Sequence, residues 1–409
     1  MKRVLFALLF FFYLPLCAQT TDSLTIKIGQ MILIGMPKAE VDSAVLAEVK
    51  AGQVGALIYF EKNIPKSASA FAAFKRMSWT YQKAAAIPLF ICIDQEGGKV
   101  NRLKEKYGFT RSVTAQDIGK SKSLDSVRFY ADATAATLAG LGINVNFAPC
   151  VDVAVNPANP VIVKNGRSYS ASEDTVIMFA KEVVTEHRKY GVVTVLKHFP
   201  GHGSSDNDTH LGLADVTNTW QERELKPYRA LIDEGFADGV MTSHIVNKKL
   251  DSRALPGTLS RAMLDSLLRK KIGYRGVIFS DDMQMKAIAN NYGLEETIKL
   301  SINAGVDILC FSNNIQGVEE RTVNKVQAII KKFVASGEIP ASRIDESFHR
   351  IMNLKKNFSG TELEVLKQTN QTLTQKIQLQ AEALKKTNEE LQQWVDGKKK
   401  WKKKKNKKS

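Results

Sequence analysis

Cysteine is scarce in this chain, with four in 409 residues, and Cys17 lies in an apolar leader-like start. The other three, Cys92, Cys150 and Cys310, each sit in an apolar run, and three thiols cannot pair off completely. That argues against a disulfide framework and reads as small buried side chains. Histidine numbers only six and no HExxH spacing occurs, so the sequence offers no helical zinc site. A strong charge of one sign is also missing from the body of the chain. The formal net charge is +16, but nine lysines fall between Lys398 and Lys408, and Lys2 and Arg3 lie at the other end. Without those eleven cations the rest carries about +5, too little to indicate a nucleic-acid partner.

The one long apolar stretch is Val4–Leu14, behind Met1-Lys2-Arg3 and ahead of Pro15 and Ala18. It is short for a membrane span and has the layout of a signal peptide. Cleavage after Ala18 predicts an exported protein of the periplasm or cell envelope. Cys17 offers a lipid-anchored variant, although Leu16 before it is larger than the residue a lipidation site usually carries.

What the chain does have is a repeated alternation. Eight short, apolar, β-branched runs stand at Met31–Met36, Gly55–Phe60, Leu89–Asp94, Ile143–Val151, Val193–His198, Gly239–His244, Gly276–Asp281 and Val306–Phe311. They are continuous rather than alternating, as expected of parallel strands buried on both faces. Helical stretches separate many of them, including Ala70–Ala85, Ser123–Leu141, Glu173–Tyr190, Glu222–Glu234 and Arg261–Lys271. An α/β chain of this order predicts a (β/α)8 TIM barrel, with a doubly wound open sheet as the alternative. Titratable residues collect where the runs end: Asp94, Asp152, Lys197-His198, His244 and Asp281. In such a barrel the C-terminal mouth is where the loops build an active site.

The densest chemistry is Lys197-His198-Phe199-Pro200-Gly201-His202-Gly203, followed by Ser204-Ser205-Asp206-Asn207-Asp208-Thr209-His210. Half of the six histidines fall here, yet no orderly pair of fixed metal ligands does. Metal and cofactor are both expected to be none. This stretch resembles a signature of the bacterial N-acetylglucosaminidase branch of glycoside hydrolase family 3. Ile93-Asp94-Gln95-Glu96-Gly97-Gly98-Lys99-Val100-Asn101-Arg102-Leu103 and Gly276-Val277-Ile278-Phe279-Ser280-Asp281-Asp282-Met283 are similar to two more of its motifs, in the same order. Lys99 stands where arginine is commoner.

The resemblance covers roughly residues 25–358 and implies a retaining, exo-acting β-N-acetylglucosaminidase on the same barrel. Its substrate would end in N-acetylglucosamine, from peptidoglycan fragments or chito-oligosaccharides. The implied nucleophile is Asp281, with Asp282 as a support. The implied acid/base is His210, oriented by Asp208, an imidazole–carboxylate dyad in place of the usual second carboxyl. Asp94, Arg102, Arg167, Lys197 and His198 are the implied sugar-binding residues, with His244 and Asp152 as candidates for the pocket wall. A phosphorylase or β-glucosidase on the same site, or a catalytically silent wall-binding scaffold, are the alternatives.

Residues 19–358 then form the catalytic unit. Beyond it, Leu363, Asn370, Ile377, Leu384 and Leu391 recur every seven residues. Residues 361–396 are expected to form a coiled coil that dimerises the chain, or an amphipathic helix folded onto the barrel. Residues 397–409 are expected to be a disordered polybasic tail, with anionic membrane or cell-wall polymer as the partner of Lys398–Lys408.

Overall fold

The computed structural model describes residues 23–66, 69–209, 212–314 and 323–359, with side chains described as far as residue 356. The leader, Cys17, His210, the heptads and the lysine tail lie outside the described residues.

All eight expected runs contribute a strand to one parallel sheet. In chain order the strands are β1 (Ile32–Gly35), β2 (Ala56–Tyr59), β3 (Phe90–Ile93), β4 (Val145–Asn146), β5 (Val193–Phe199), β6 (Ala214–Asp215), β7 (Gly239–Thr242), β8 (Ile245–Val246), β9 (Val277–Phe279) and β10 (Leu309–Phe311). The sheet runs β10-β1-β2-β3-β4-β5-β7-β9, while β6 and β8 pair with each other outside it. Its two edges meet in a single parallel bridge, Phe279 to Ile308, so the sheet curls into a near-closed barrel. Every residue of β1, β2 and β3 is buried, which is what the unbroken apolar runs require.

Two details depart from the sequence reading. The run Ile143–Val151 forms a ladder only at Val145–Asn146. Pro149 has no backbone N–H to donate, and pairing resumes only at an isolated bridge from Cys150 to Lys197. The single helix expected at Glu222–Glu234 is a 3-10 turn, Glu222–Leu225, leading into an α-helix at Lys226–Asp233. Pro227 sits in the first turn of that helix, where a missing N–H costs nothing.

The interior is filled rather than open. Phe279 packs against Phe147 and Phe90, with ring centroids 5.5 and 6.3 Å apart. Gly239 makes room for it, since a Cβ there would lie 3.0 Å from the Phe279 ring. At the bottom, the buried Lys355 ammonium donates to Gln30 Oε1 at 2.7 Å and to the Gly55 carbonyl at 2.9 Å. Burial pulls that ammonium down to about 7. The last helix among the described residues, Ala341–Ser359, is bolted on through buried Asp307, which accepts from Arg343, Arg350, Ser347 and Arg269. Because the strands are parallel, their C-terminal ends share one mouth, and the chemistry collects there.

Candidate active site

Five of the sequence-predicted binding residues come together in one chain of alternating charge. The Arg102 guanidinium lies 3.4 Å from Asp94 Oδ2, and Lys197 Nζ donates to Asp94 Oδ1 at 2.8 Å. The same ammonium is 2.7 Å from Glu96 Oε1. Glu96 in turn accepts a two-pronged contact from Arg167, at 2.9 and 2.7 Å. Arg167 also reaches His198 Nε2 at 3.0 Å, and His198 Nδ1 is 2.7 Å from Asp152 Oδ2. A guanidinium only donates, so His198 Nε2 accepts, and the imidazole carries its proton on Nδ1 toward Asp152.

Exposure grades along this chain. Lys197 is 1% exposed and Glu96 5%, whereas Asp94 and Arg102 are 17% and 25% exposed. Asp94 and Arg102 therefore face the mouth, while Lys197, Arg167 and His198 stand behind them. Burial pushes the Asp94 carboxyl up, but Lys197 and Arg102 outweigh it and hold it below the ordinary value. Glu96 is likewise held well below the carboxylate range, as Arg167 and Lys197 outweigh its burial. Burial works against the Lys197 ammonium too, and Asp94 and Glu96 outweigh it. Such charges survive burial only as a set, since removing one leaves another desolvated and unpaired.

Asp281 follows β9 and is partly exposed at the mouth. Its backbone N–H donates to Thr242 Oγ1 at 3.2 Å, and its own carboxylate accepts from the Asp282 N–H at 2.8 Å. Asp282 turns away. It accepts from Ser312 N and Oγ at 3.1 and 2.5 Å and from Gln284 N at 3.1 Å, tying the turn after β9 to the end of β10. Burial pushes Asp282 up to about 6, against those hydrogen bonds. Burial also pushes the Cys310 thiol up, and the charges of Asp282, Asp281 and Asp94 add to it. Of the two residues expected to line the wall, Asp152 is 1% exposed and His244 is fully buried, so neither forms an open wall.

The segment after β5 is fastened at both ends. At its start, Asp152 Oδ1 accepts from His202 N at 2.8 Å, and Glu224 accepts from Ser204 N at 3.2 Å. Asp152 lies down at about 2, because His198 and His202 outweigh its burial, and burial raises Glu224 to about 7. At its far end, Ala214-Asp215 pairs with Ile245-Val246. Between them Asp206 and Asn207 are exposed, Asp208 is partly exposed and Thr209 is buried.

Cys150, Asp152 and His198 bring ligand-type atoms within 4.8 Å of one another. The Cys150 thiol donates to Asp152 at 3.2 Å, and His198 is taken up at both nitrogens. The trio therefore reads as a hydrogen-bonded chain. Sequence reasoning passed over Glu96, Glu224, Thr242 and Thr258. Glu96 had a signal, sitting between Gln95 and the glycine pair whose φ values are 104° and 58°. A Cβ at Gly97 would lie 2.3 Å from the Val113 carbonyl, so that turn positions its neighbour closely.

Several known proteins are similar to this chain over most of its length. Beta-hexosaminidase A of Pseudoalteromonas piscicida is 31% identical over 319 residues, covering 74% of this chain and 53% of that protein. Beta-hexosaminidase LpqI of Mycobacterium tuberculosis is 31% identical over 341 residues, covering 80% of this chain and 82% of the relative. A solved glycoside hydrolase family 3 β-N-acetylglucosaminidase from Paenibacillus sp. superposes with a TM-score of 0.75 at 33% identity, over 82% of this chain and 63% of that one. The model of the glycosyl hydrolase family 3 N-terminal domain matches residues 23–354. Since that match takes in every barrel strand and both carboxylate groups of the mouth, the chain belongs to glycosyl hydrolase family 3.

Proposed function

We propose that this chain is a retaining, exo-acting β-N-acetylglucosaminidase that removes terminal β-linked N-acetylglucosamine from peptidoglycan fragments or chito-oligosaccharides. The observation that carries it is a carboxylate held at the end of β9, Asp281, together with a hydrogen-bonded charged chain through Asp94, Arg102, Lys197, Glu96, Arg167 and His198 at the C-terminal ends of the same barrel's strands. Its relatives are named as β-hexosaminidases, and the chain spans 82% of the length of one and about half of another.

In the first step Asp281 attacks the anomeric carbon from one face. The carbon–oxygen bond to the departing sugar breaks, and His210 gives that oxygen its proton. Asp208 holds the imidazole and favours its charged form. In the second step the neutral His210 takes a proton from water, whose oxygen attacks the anomeric carbon and frees Asp281. Two displacements return the β configuration. Asp94 and Arg102 offer an acceptor and donors to adjacent hydroxyls, and Lys197, Glu96 and Arg167 keep that pair charged.

The complete architecture we propose is a (β/α)8 TIM barrel over residues 19–358, carrying a C-terminal helical segment and a lysine-rich tail. Export, with the signal peptide removed after Ala18 or with lipid on Cys17, belongs to the same reading. Finding Met1 retained on cytoplasmic protein in a fractionation would refute it. The activity itself is tested with two nitrophenyl glycosides at equal concentration. Faster release from the N-acetylglucosaminide than from the glucoside, with the β-anomer as the first product by NMR, is the expected result. Preference for the glucoside, acceleration only when phosphate is added, or an α-anomer first would each contradict it.

A further inference from the structure

The turn after β7 contains an arrangement that the sugar-binding chain does not use. Thr242 ends β7, and Thr258 lies in a 3-10 turn, Gly257–Leu259, that folds back over it. Thr242, Ser243, His244 and Thr258 are all fully buried. The Thr258 hydroxyl lies 2.6 Å from Thr242 Oγ1, 2.8 Å from His244 Nδ1 and 3.1 Å from the Ser243 carbonyl. Each of the first two contacts continues to the nucleophile's backbone. Thr242 Oγ1 accepts the Asp281 N–H at 3.2 Å, and His244 Nε2 lies 2.9 Å from the Asp282 carbonyl. A carbonyl only accepts, so the His244 proton sits on Nε2 and points at that carbonyl.

The two arms thus hold the Asp281–Asp282 segment at both ends, and one oxygen, Thr258 Oγ1, joins them. The turn is built to keep that oxygen in place. Thr258 N donates to the Ser243 carbonyl at 3.0 Å, and Pro256 bridges to Val246 of β8. Gly257 approaches so closely that a Cβ would lie 2.8 Å from the Ser243 carbonyl.

We infer that Thr258 is a positioning residue for the nucleophile, setting the placement of the Asp281 carboxylate through Thr242 and His244 without touching substrate. This rests on Asp281 being the nucleophile. A displaced nucleophile slows attack on the anomeric carbon whatever the leaving group, because reacting atoms must be held near contact distance and in line. Loss of an acid/base spares substrates whose leaving group needs no proton. The two roles are therefore separable.

The probe is the 5-fluoro derivative of β-N-acetylglucosaminyl fluoride. With it the enzyme forms a bond from Asp281 to the anomeric carbon, while the carbon–fluorine bond breaks and fluoride departs with the electron pair, unprotonated. Thr258→Val keeps the shape and removes the hydroxyl, and Thr258→Ser keeps the hydroxyl. We expect labelling of T258V to be on the order of ten- to a hundred-fold slower than wild type. We expect T258S to recover most of the rate, and KM for the nitrophenyl substrate to change little. Because both arms meet at one oxygen, T242V/T258V should be little worse than the slower single variant. If T258V does not fold, T242V alone must show the slowed labelling. Wild-type labelling rates in folded T258V, or in folded T242V in its place, would overturn the inference and leave the nucleophile assignment standing. Equal slowing in T258S would overturn it too, since packing rather than the hydroxyl would then be responsible. A wild-type adduct on a residue other than Asp281 would remove the assignment and this inference together.

Discussion

The end of β9 and the segment after β5 carry the two halves of the proposed chemistry on opposite kinds of backbone. Around Asp281 the neighbours Thr242, His244, Ser280 and Thr258 are fully buried and hydrogen-bonded to one another or to adjacent strands. Around Asp208 the chain runs through exposed Asp206 and Asn207, held at its start by Asp152 and Glu224 and at its far end by the β6–β8 pair. A nucleophile gains from rigidity, because its path to the anomeric carbon is the same in every turnover. A proton donor on a loop can complete the site after the substrate has seated. The proposed mechanism thereby draws its nucleophile and its acid/base from segments that follow two different strands of the same barrel.

The sharpest break of that division is Asp281→Asn. It is nearly isosteric and removes only the attacking charge, so we expect turnover to fall on the order of ten-thousand-fold or more in a folded protein. Near-normal turnover with a wild-type circular dichroism spectrum would end the assignment.

On the loop side the loss should depend on the leaving group. His210→Ala is expected to lose about a hundred- to ten-thousand-fold on natural disaccharides and muropeptides, and much less on nitrophenyl substrates. Added azide should partly restore the second step and yield the β-glycosyl azide. Asp208→Ala should follow more mildly. Equal losses on both substrate classes, with no azide rescue, would instead make His210 a sugar-binding residue.

The next largest effect belongs to the charged chain. Glu96→Gln leaves the Arg167 and Lys197 cations buried without their shared carboxylate, and should cost about 3–5 kcal/mol of stability at neutral pH. Glu96 and Asp152 both titrate below their ordinary values in the folded chain. Their contribution is complete above about pH 5 and is lost progressively as pH falls through their depressed folded values. Thermal melts from pH 7 downward should therefore show a steeper acid loss in wild type than in E96Q.

Glu224 has the opposite sign. Burial raises it to about 7, so ionising it costs stability as pH rises from its unfolded value through 7. The melting temperature of Glu224→Gln relative to wild type should be higher at pH 8 than at pH 5. A difference that does not move with pH would show that Glu224 stays ionised throughout.

The smallest effect is expected outside the barrel. Removing residues 361–409 should leave kcat on a nitrophenyl substrate unchanged, since the family match ends at residue 354. A fall in kcat on truncation would bring the tail into the site.

Much of this was legible before any coordinates. Continuous β-branched runs mark strands buried on both faces, and eight of them located every strand of the barrel within a few residues. The break inside Ile143–Val151 was readable only through Pro149. The residues implied as sugar-binding meet because strand ends converge. Their neutralising partner Glu96, however, is 71 positions from Arg167, and no local pattern encodes that pairing. Asp152 and His244 were readable as titratable groups near strand ends, but their burial follows from loops folding back over them. Thr258 had no signal at all, because a threonine in a short turn acquires meaning only from what its hydroxyl touches.

The most direct test is to trap the glycosyl-enzyme with the 5-fluoro glycosyl fluoride, digest it, and locate the adduct by mass spectrometry. We expect the added mass on Asp281, in the peptide containing Ser280-Asp281-Asp282, and none in D281N. An adduct on any other residue, or complete turnover with no covalent species, would contradict a nucleophile at the end of β9.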